Sequence, residues 1–161
     1  MAALVEQLGS KRFAVRVKAR ERMIALGQAA VVPLLQCLNS PVEKARWEAA
    51  KALTELRPCV AADALVDALT DDPSDEVRWA AAEALIALQW EGVKHVLIAL
   101  LRRDTVYLRG GAHHVLAVFA KRRSGAFLKP VMHLLGAMDS GVRVPLAAQR
   151  ALESLRTTGP V

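Results

Sequence analysis

A short motif recurs along this chain about every 31 residues, and it constrains the fold more than any other feature of the sequence. Its clearest copies are Val15–Arg20, Ala45–Ala50 and Val77–Ala82, each with an arginine in second place. Five copies follow one another, with their arginines at Arg16, Arg46, Arg78, Arg109 and Arg143. A unit of this length holds one pair of helices, and tandem units of this kind stack into a solenoid.

Each copy of the motif begins an apolar pattern that is typical of one face of a helix. Around Arg78, for example, the apolar positions are Val77, Ala81, Ala84, Leu85 and Leu88. A second apolar segment follows each of the first four copies, at Val32–Leu38, Asp63–Leu69, His95–Leu101 and Lys129–Leu135. Because aromatic residues make up only 4% of the chain, the core must be built from Ala, Leu and Val, which suits closely spaced helices.

We therefore predict one domain, an all-α solenoid of about four and a half two-helix repeats. A half repeat at 2–9 precedes repeats at about 10–40, 41–71, 72–103 and 104–138, and a final half repeat spans 139–156. The last half repeat is a lone first helix, in which Leu146, Ala147, Leu152 and Leu155 have no following helix to pack on. End-to-end self-association of chains is one consequence, and the alternatives are a monomer that tolerates exposed ends and a fragment cut from a longer repeat array.

The repeat resembles that of the HEAT-repeat superfamily, in particular the short bacterial repeats of phycobilin-lyase-like proteins. The resemblance rests on the arginine starts, on Ala49–Leu53 and Ala81–Leu85, and on Val32–Leu35, and it covers roughly residues 2 to 155. It implies that the second helices line the concave face. It also implies a structural role for the arginine column, in which each arginine bridges to an acidic group or to backbone carbonyls of the adjoining repeat. The acidic candidates are Glu43 and Asp75, three residues before Arg46 and Arg78.

Polar residues of the second helices are then the candidates for binding a partner. We predict that Gln36, Asp63, Asp67, His95, Arg102, Lys129 and His133 line a concave groove that runs from acidic to basic. Such a groove suits an extended peptide or a helix with the opposite charge gradient. The function predicted on this basis is a protein–protein interaction scaffold, and the identity of its partner is open.

The net charge of +6 lies in the second half of the chain. Residues 81–161 hold 11 Lys and Arg against 5 Asp and Glu, whereas residues 1–80 hold 11 of each kind. Most of the excess falls within residues 91–130, and a one-sided basic surface attracts nucleic acid, anionic lipid or acidic protein. A nucleic-acid-binding module that uses this region is therefore an alternative function. A third, implied only by the resemblance, is an accessory subunit of a chromophore lyase.

No catalytic constellation stands out in the sequence, and we predict neither an enzyme nor a cofactor or metal site. The hydroxylase branch of the resembled family holds two irons with His-Glu pairs, but no histidine here is followed by glutamate. His113, the nearest case, aligns with Ala50 and Ala82 and is expected to face partly inward. Cys37 and Cys59 lie 22 residues apart without zinc-ligand spacing, so we expect free thiols.

The uncharged run from Met23 to Val42 could be mistaken for a membrane span. Gly27, Pro33 and Pro41 interrupt it, so we interpret it as two soluble helix pieces and predict no entry into the membrane. Because the two cysteines imply no disulfide framework, we predict a cytoplasmic protein.

The position after each arginine points away from the core on a helical wheel, and it holds Trp47 and Trp79. Two interpretations are open for this tryptophan column. The rings form an aromatic patch for a partner, or they lie over neighbouring Arg and Lys side chains as half-buried lids.

Overall fold

The computed structural model describes residues 1–137 and 143–158, and all regular structure in those ranges is helical. The α-helices are α1 (Ala2–Leu8), α2 (Phe13–Ala25), α3 (Val31–Cys37), α4 (Glu43–Leu56), α5 (Ala62–Asp71), α6 (Asp75–Ala87), α7 (Trp90–Arg102), α8 (Val106–Ala120), α9 (Lys129–Gly136) and α10 (Arg143–Thr158). Short 3-10 segments at Gly27–Ala30, Cys59–Ala61 and Arg123–Leu128 join the two helices of a pair. The predicted all-α solenoid is confirmed.

The helices form two layers. α2, α4, α6 and α8 pack side by side in a first-helix layer, and α1, α3, α5 and α7 pack across them in a second-helix layer. The core between the layers is rich in buried alanines, which let the helix backbones approach closely, and leucines fill the remaining space. Its members include Ala49, Ala52, Leu53, Ala81, Ala84, Leu85, Leu97, Leu116 and Phe119. The inward positions predicted around Arg78 are all buried as expected, whereas Leu26, which occupies the place of Leu88 in the copy around Arg16, keeps 45% of its surface exposed.

The turns before the first helices use side-chain oxygens that the sequence supplies. Ser10 Oγ, Ser40 Oγ and Asp72 Oδ1 each accept a hydrogen bond from the backbone N–H two residues on, at 3.2, 3.1 and 2.9 Å. Thr105 caps α8 directly, because its Oγ1 accepts the N–H of Leu108 at 3.1 Å. These tight turns, formed by residue types that favour them, fix where each first helix begins.

The C-terminal helix departs from the predicted arrangement. α10 does not continue the first-helix layer but packs mainly against α7, with further contacts to α9 and to the 3-10 segment before it. Val144, Ala148 and Ala151 are buried in this contact, at a spacing that places them on one face of the helix. α9 packs against α8 and α10, and it is α10 that covers the flank of α7.

The exposed apolar face predicted for the last half repeat is therefore largely closed. Ala147 and Leu152 are partly buried against the core, whereas Leu146 keeps 48% of its surface exposed. End-to-end self-association stays a prediction, with a smaller apolar surface at this end than the sequence suggests.

The chain segment Met23–Val42 is divided between the end of α2, a 3-10 turn, α3 and the loop beyond it. Within the described residues, no helix combines the length and the hydrophobicity needed to cross a membrane.

Candidate functional site

A groove between α5 and α7 brings together four of the seven predicted partner-binding residues. This second-helix groove has a volume of about 200 Å³. It is lined by Asp63, Val66, Asp67, His95, Ile98, Ala99, Arg102 and Arg103. The two helices belong to adjacent repeats, so residues 32 to 36 positions apart in the sequence face each other across it.

Ion pairs cross the second-helix groove. His95 Nδ1 lies 2.7 Å from Asp63 Oδ1, and Arg103 binds Asp67 Oδ1 at 2.8 Å and Asp71 Oδ2 at 3.0 Å. The acidic and basic residues that were predicted to follow one another along the groove are therefore paired across it, and the charge gradient over the whole second-helix layer stays a prediction. Because the acidic column of α5 and the basic residues of α7 stand one repeat apart, they meet and neutralise each other instead of facing separate parts of a partner.

Glu91 completes the charge arrangement around His95. Its Oε1 lies 3.0 Å from His95 Nε2 and 2.9 Å from Lys94 Nζ. The hydrogen bond from Lys94 is the main cause that lowers the pKa of Glu91, and the hydrogen bond from His95 adds to it. His95 is thus held between two carboxylates from adjacent second helices, which fixes the orientation of its ring.

A neighbouring groove between α5 and the turn that follows α3 extends the polar surface. It has a volume of about 540 Å³, and Asp67 and Arg103 line it as well as the second-helix groove. Gln36 is exposed on α3 but is not among the residues lining either groove.

Lys129 and His133, also predicted for the concave site, lie elsewhere. Both are exposed on α9, whereas α10 is the helix that packs along α7. Lys129 instead lines a groove together with Lys121, Arg122 and Arg123. The predicted set of seven residues therefore does not form one continuous site.

The arginine column ties the repeats together. Arg46 donates from Nε and Nη2 to the two carboxylate oxygens of Asp72, at 2.7 and 2.9 Å, and this hydrogen bonding raises the pKa of Arg46. Asp72 follows α5, one repeat further along the chain, and is buried. Glu43, the partner suggested by the sequence, binds Lys44 at 2.7 Å instead. Two-point binding of a carboxylate is a geometry that arginine makes and lysine does not.

A second contact is shared by three members of the column. Arg16, Arg46 and Arg78 each donate from Nη1 to the backbone carbonyl six residues earlier, in the turn that follows a second helix. Arg109 differs, since its Nη2 reaches the carbonyls of Leu134 and Ala137 at the end of α9, both at 3.2 Å. The positive charge therefore lies beside the carbonyl-rich end of a second helix. This contact offsets the cost of placing an arginine near the start of its own helix.

The acidic partners of the other arginines vary. Arg78 pairs with Asp75, the residue predicted for it, and its guanidinium lies 3.9 Å from the ring centre of Tyr107. Arg109 pairs with Asp104 at 3.2 Å. Arg143 is exposed at the start of α10, next to residues 138–142, which lie outside the described part of the chain.

A buried carboxylate between α2 and α4 was not found from the sequence. Glu48 is fully buried, hydrogen-bonds with Arg20 and lies 3.4 Å from Nε of Arg16. In the aligned repeats its position holds Lys18 and Ala80, so the repeat pattern gives no sign of it. A buried carboxylate needs such partners, because an unpaired charge in the core is very costly.

The two tryptophans differ in their surroundings. Trp47 is half-buried, with Lys51 Nζ 4.1 Å from its ring centre, which fits the interpretation as a lid. Trp79 is 59% exposed and stacks on His114, with 4.3 Å between ring centres. Each interpretation of the tryptophan column therefore fits one of its two rings.

A mainly apolar groove of about 330 Å³ lies beside Trp79, between α6 and α8. It is open because the next residue in the column is Gly110, which has no side chain. A Cβ added at Gly110 would have no atom within 4 Å. His113 is exposed, contrary to the inward orientation expected from its alignment with two alanines.

Within the described residues, no group of three or more His, Cys, Asp and Glu side chains could hold a metal ion. Cys37 is buried, and burial raises the pKa of its thiol; Cys59 is exposed. Both thiols are free, as expected.

A family model and one solved structure agree on the architecture. Residues 1–86 match the family model of HEAT repeats. A chain in the complex of CpcE and CpcF of phycocyanin lyase from Nostoc sp. PCC7120 is similar in structure, with a TM-score of 0.59 and 21% sequence identity over 93% of this chain and 96% of that one. An engineered protein is 26% identical, with a TM-score of 0.47, over 96% of this chain and 80% of that one. No curated protein matches the chain.

Proposed function

The chain belongs to the HEAT-repeat family, and from this premise we propose that it is a non-catalytic scaffold that binds a peptide or helix of a partner protein along its second-helix layer. The observation that carries the proposal is the second-helix groove, where exposed charged groups are held in fixed positions above an apolar floor. Grooves between helices of this kind are common binding sites for protein segments.

The chemistry of the second-helix groove suits an amphipathic segment. Ile98 supplies most of a narrow apolar floor, since Val66 and Ala99 keep only 6% of their surface exposed. Arg102 stands exposed beside it without an ion pair to any described residue. The carboxylate of Asp63 keeps most of its surface exposed although it pairs with His95, so it can accept a further hydrogen bond. Because ion pairs already orient Asp63, His95, Asp67 and Arg103, a partner loses little side-chain entropy in binding these four residues.

The structural comparison supports a protein partner. The similar chain from Nostoc was solved within a complex of two different proteins of phycocyanin lyase. A two-layer helical array of the same kind is therefore able to present a surface to a second polypeptide. The partner of the present chain is proposed only by its class, a polypeptide with an amphipathic binding segment.

Native affinity purification of the tagged chain, followed by quantification of the proteins that co-purify in stoichiometric amounts, tests this proposal. The groove variant exchanges charges by combining Asp67→Lys with Arg102→Glu. The control combines Lys18→Glu with Glu21→Lys on the exposed surface of α2, which leaves the net charge equally unchanged. We expect at least one protein to co-purify with the control variant and not with the groove variant. A partner retained by both, or no stoichiometric partner, contradicts the proposal.

An accessory subunit of a chromophore lyase is the second candidate function. It is favoured by the likeness of fold to the phycocyanin lyase chain. Titration of a purified bilin with the chain tests it, because transfer of a bilin into a protein environment shifts its visible absorption. An unchanged spectrum at equimolar and excess protein argues against direct chromophore handling and leaves only a role through a partner.

A further inference from the structure

The basic surplus of the chain is confined to its last third. Residues 105–161 contain eight Lys and Arg against two Asp and Glu, which accounts for the whole net charge of +6. Residues 1–104 contain fourteen of each kind. The surplus therefore belongs to α8, α9 and α10 and the segments between them.

Four of these eight cations surround one groove. Lys121, Arg122 and Arg123 follow α8, Lys129 begins α9, and together they line a space of about 550 Å³, called here the C-terminal basic groove. The remaining lining residues are uncharged and mostly small: Ala117, Ala120, Ala126 and Met132. The groove thus has an apolar floor and a rim of positive charge, with no acidic side chain among its lining residues.

The positive charges on this rim are not neutralised by acidic side chains within the described part of the chain. Lys121, Arg123 and Lys129 form no ion pair with a described residue. Arg122 approaches only the amide oxygen of Gln89, at 3.4 Å, and lies 4.8 Å from the ring centre of Phe119. In the second-helix groove, by contrast, Arg103 is bound by two carboxylates.

A packed frame holds the rim in place. A Cβ on Gly125 would lie 2.0 Å from the carbonyl oxygen of Phe119, so the 3-10 segment rests directly on the end of α8. Beneath it, Phe119 is fully buried and stacks with Trp90, whose ring also faces Phe127 at 6.0 Å. The backbone that carries the four cations is therefore packed against the core and is not a free terminus.

We propose that the C-terminal basic groove binds an acidic amphipathic segment of a protein partner. The apolar floor accepts the small apolar face of such a segment, and the four cations pair with the carboxylates that flank it. Nucleic acid fits these observations less well, because a phosphate backbone makes no use of an apolar floor. Binding of single strands relies on exposed aromatic faces, whereas Phe119 is buried and Phe127 half-buried.

The inference goes beyond the proposed function, because it assigns a second surface, on other helices, with a stated partner chemistry. The two surfaces share no lining residue. Variants of one therefore leave the other intact, and the failure of one proposal does not imply the failure of the other.

A designed probe peptide tests the inference. The probe is a fluorescein-labelled peptide of about 18 residues in which Ala and Leu occupy one helical face and Glu the flanks. A scrambled peptide of the same composition keeps the charge and loses the apolar face. Fluorescence anisotropy at physiological salt is expected to show binding of the probe about tenfold tighter than binding of the scrambled peptide, which corresponds to ~1.4 kcal/mol.

Charge-reversal variants locate the binding surface. Lys121→Glu, Arg123→Glu and Lys129→Glu combined are expected to weaken probe binding by about tenfold or more, because like charges then face each other across the groove. The matched control reverses Lys11, Lys18 and Arg22, three exposed cations of the N-terminal third, and is expected to change binding by less than about twofold, since these charges lie away from the groove. Circular dichroism verifies that both variants stay helical.

Four results would overturn the inference. These are equal binding of the probe and the scrambled peptide, equal loss in the two triple variants, and no binding of the probe at physiological salt. The fourth is duplex DNA that binds more tightly than the probe, with an affinity that falls by roughly 0.9 log unit per log unit of salt for each phosphate contacted, which would assign the surface to nucleic acid.

Discussion

The carboxylate of Asp72 accepts two hydrogen bonds from Arg46, which belongs to the preceding repeat, at 2.7 Å from Nε and 2.9 Å from Nη2. The same carboxylate accepts the backbone N–H of Ser74 at 2.9 Å. One buried side chain therefore links two repeats and shapes the turn that starts α6. The effect of removing it can be predicted.

We predict that Asp72→Ala lowers the free energy of unfolding by about 3 kcal/mol, because it leaves a mostly buried guanidinium without its counter-charge. Asp71→Ala, one residue earlier, removes an exposed carboxylate that pairs with Arg103 and is expected to cost about 0–1 kcal/mol. Urea unfolding followed by circular dichroism measures both. Equal costs would mean that Arg46 finds another partner when Asp72 is absent.

Replacing Gly110 and Gly92 with alanine should have opposite effects on the free energy of unfolding. Gly110→Ala should raise the free energy of unfolding by about 0.5–1 kcal/mol, since the position lies within α8 and the added methyl group meets nothing. Gly92→Ala should lower it, because the new Cβ would lie 1.9 Å from the carbonyl oxygen of Leu85. Thermal unfolding of the two variants compares them with the parent chain. Stabilisation of both would show that α7 can move away from α6 at little cost.

Leu85 and Trp79 test the inward and outward sides of α6. Leu85 is fully buried, so Leu85→Ala should cost about 2–5 kcal/mol. Trp79→Ala should cost less, because most of the ring is exposed and its main ring contact is the partly exposed His114. Urea denaturation gives both values, and the reverse ranking would contradict this assignment of the two faces.

The Glu91 carboxylate should make stability depend on pH. Its pKa in the folded chain lies below the ordinary value of 4.5, chiefly because Lys94 donates to it. It therefore contributes stability that is present above about pH 4.5 and is lost as the pH falls through the lower, folded pKa. The urea midpoints of Glu91→Gln and of the parent chain should therefore be closest at low pH and should differ most near pH 6. Midpoint curves that stay parallel from pH 6 to pH 3 would contradict the assignment.

The fold could be predicted from the sequence because the same local pattern of apolar positions recurs in successive copies of the repeat. Each copy places the same apolar positions around its arginine, and the burial of Leu53 and Leu85 follows from helical geometry alone. The placement of α10 could not be predicted in this way. Its apolar positions are compatible with packing on α8 or on α7, and the choice depends on how α7, α8 and α9 pack in three dimensions, which the repeat pattern does not contain.

The candidate site was predictable only in part. The second helices bring Asp63, Asp67, His95 and Arg102 to one groove as the repeat register indicates. Their pairing depends on the offset between neighbouring helices, which a helical wheel does not contain. The buried Glu48 was missed for a related reason, because it occurs in a single repeat and its partners lie 28 and 32 residues away.

The ion pairs and hydrogen bonds of the arginine column also determine how the molecule should respond to a mechanical load. In a stack of repeats, a force applied at the two ends passes through every interface in turn, and the least strongly joined interface separates first. The α2–α4 and α4–α6 interfaces are joined by Glu48 with its two arginines and by the two-point bond of Arg46 to Asp72. The α6–α8 interface has the exposed pair of His114 with Glu83 and the ring contacts beside it. Under tension α10 must first separate from α7, on which it packs, and of the three first-helix interfaces α6–α8 should then part first, leaving the segment from α1 to α6 as the stiffer body.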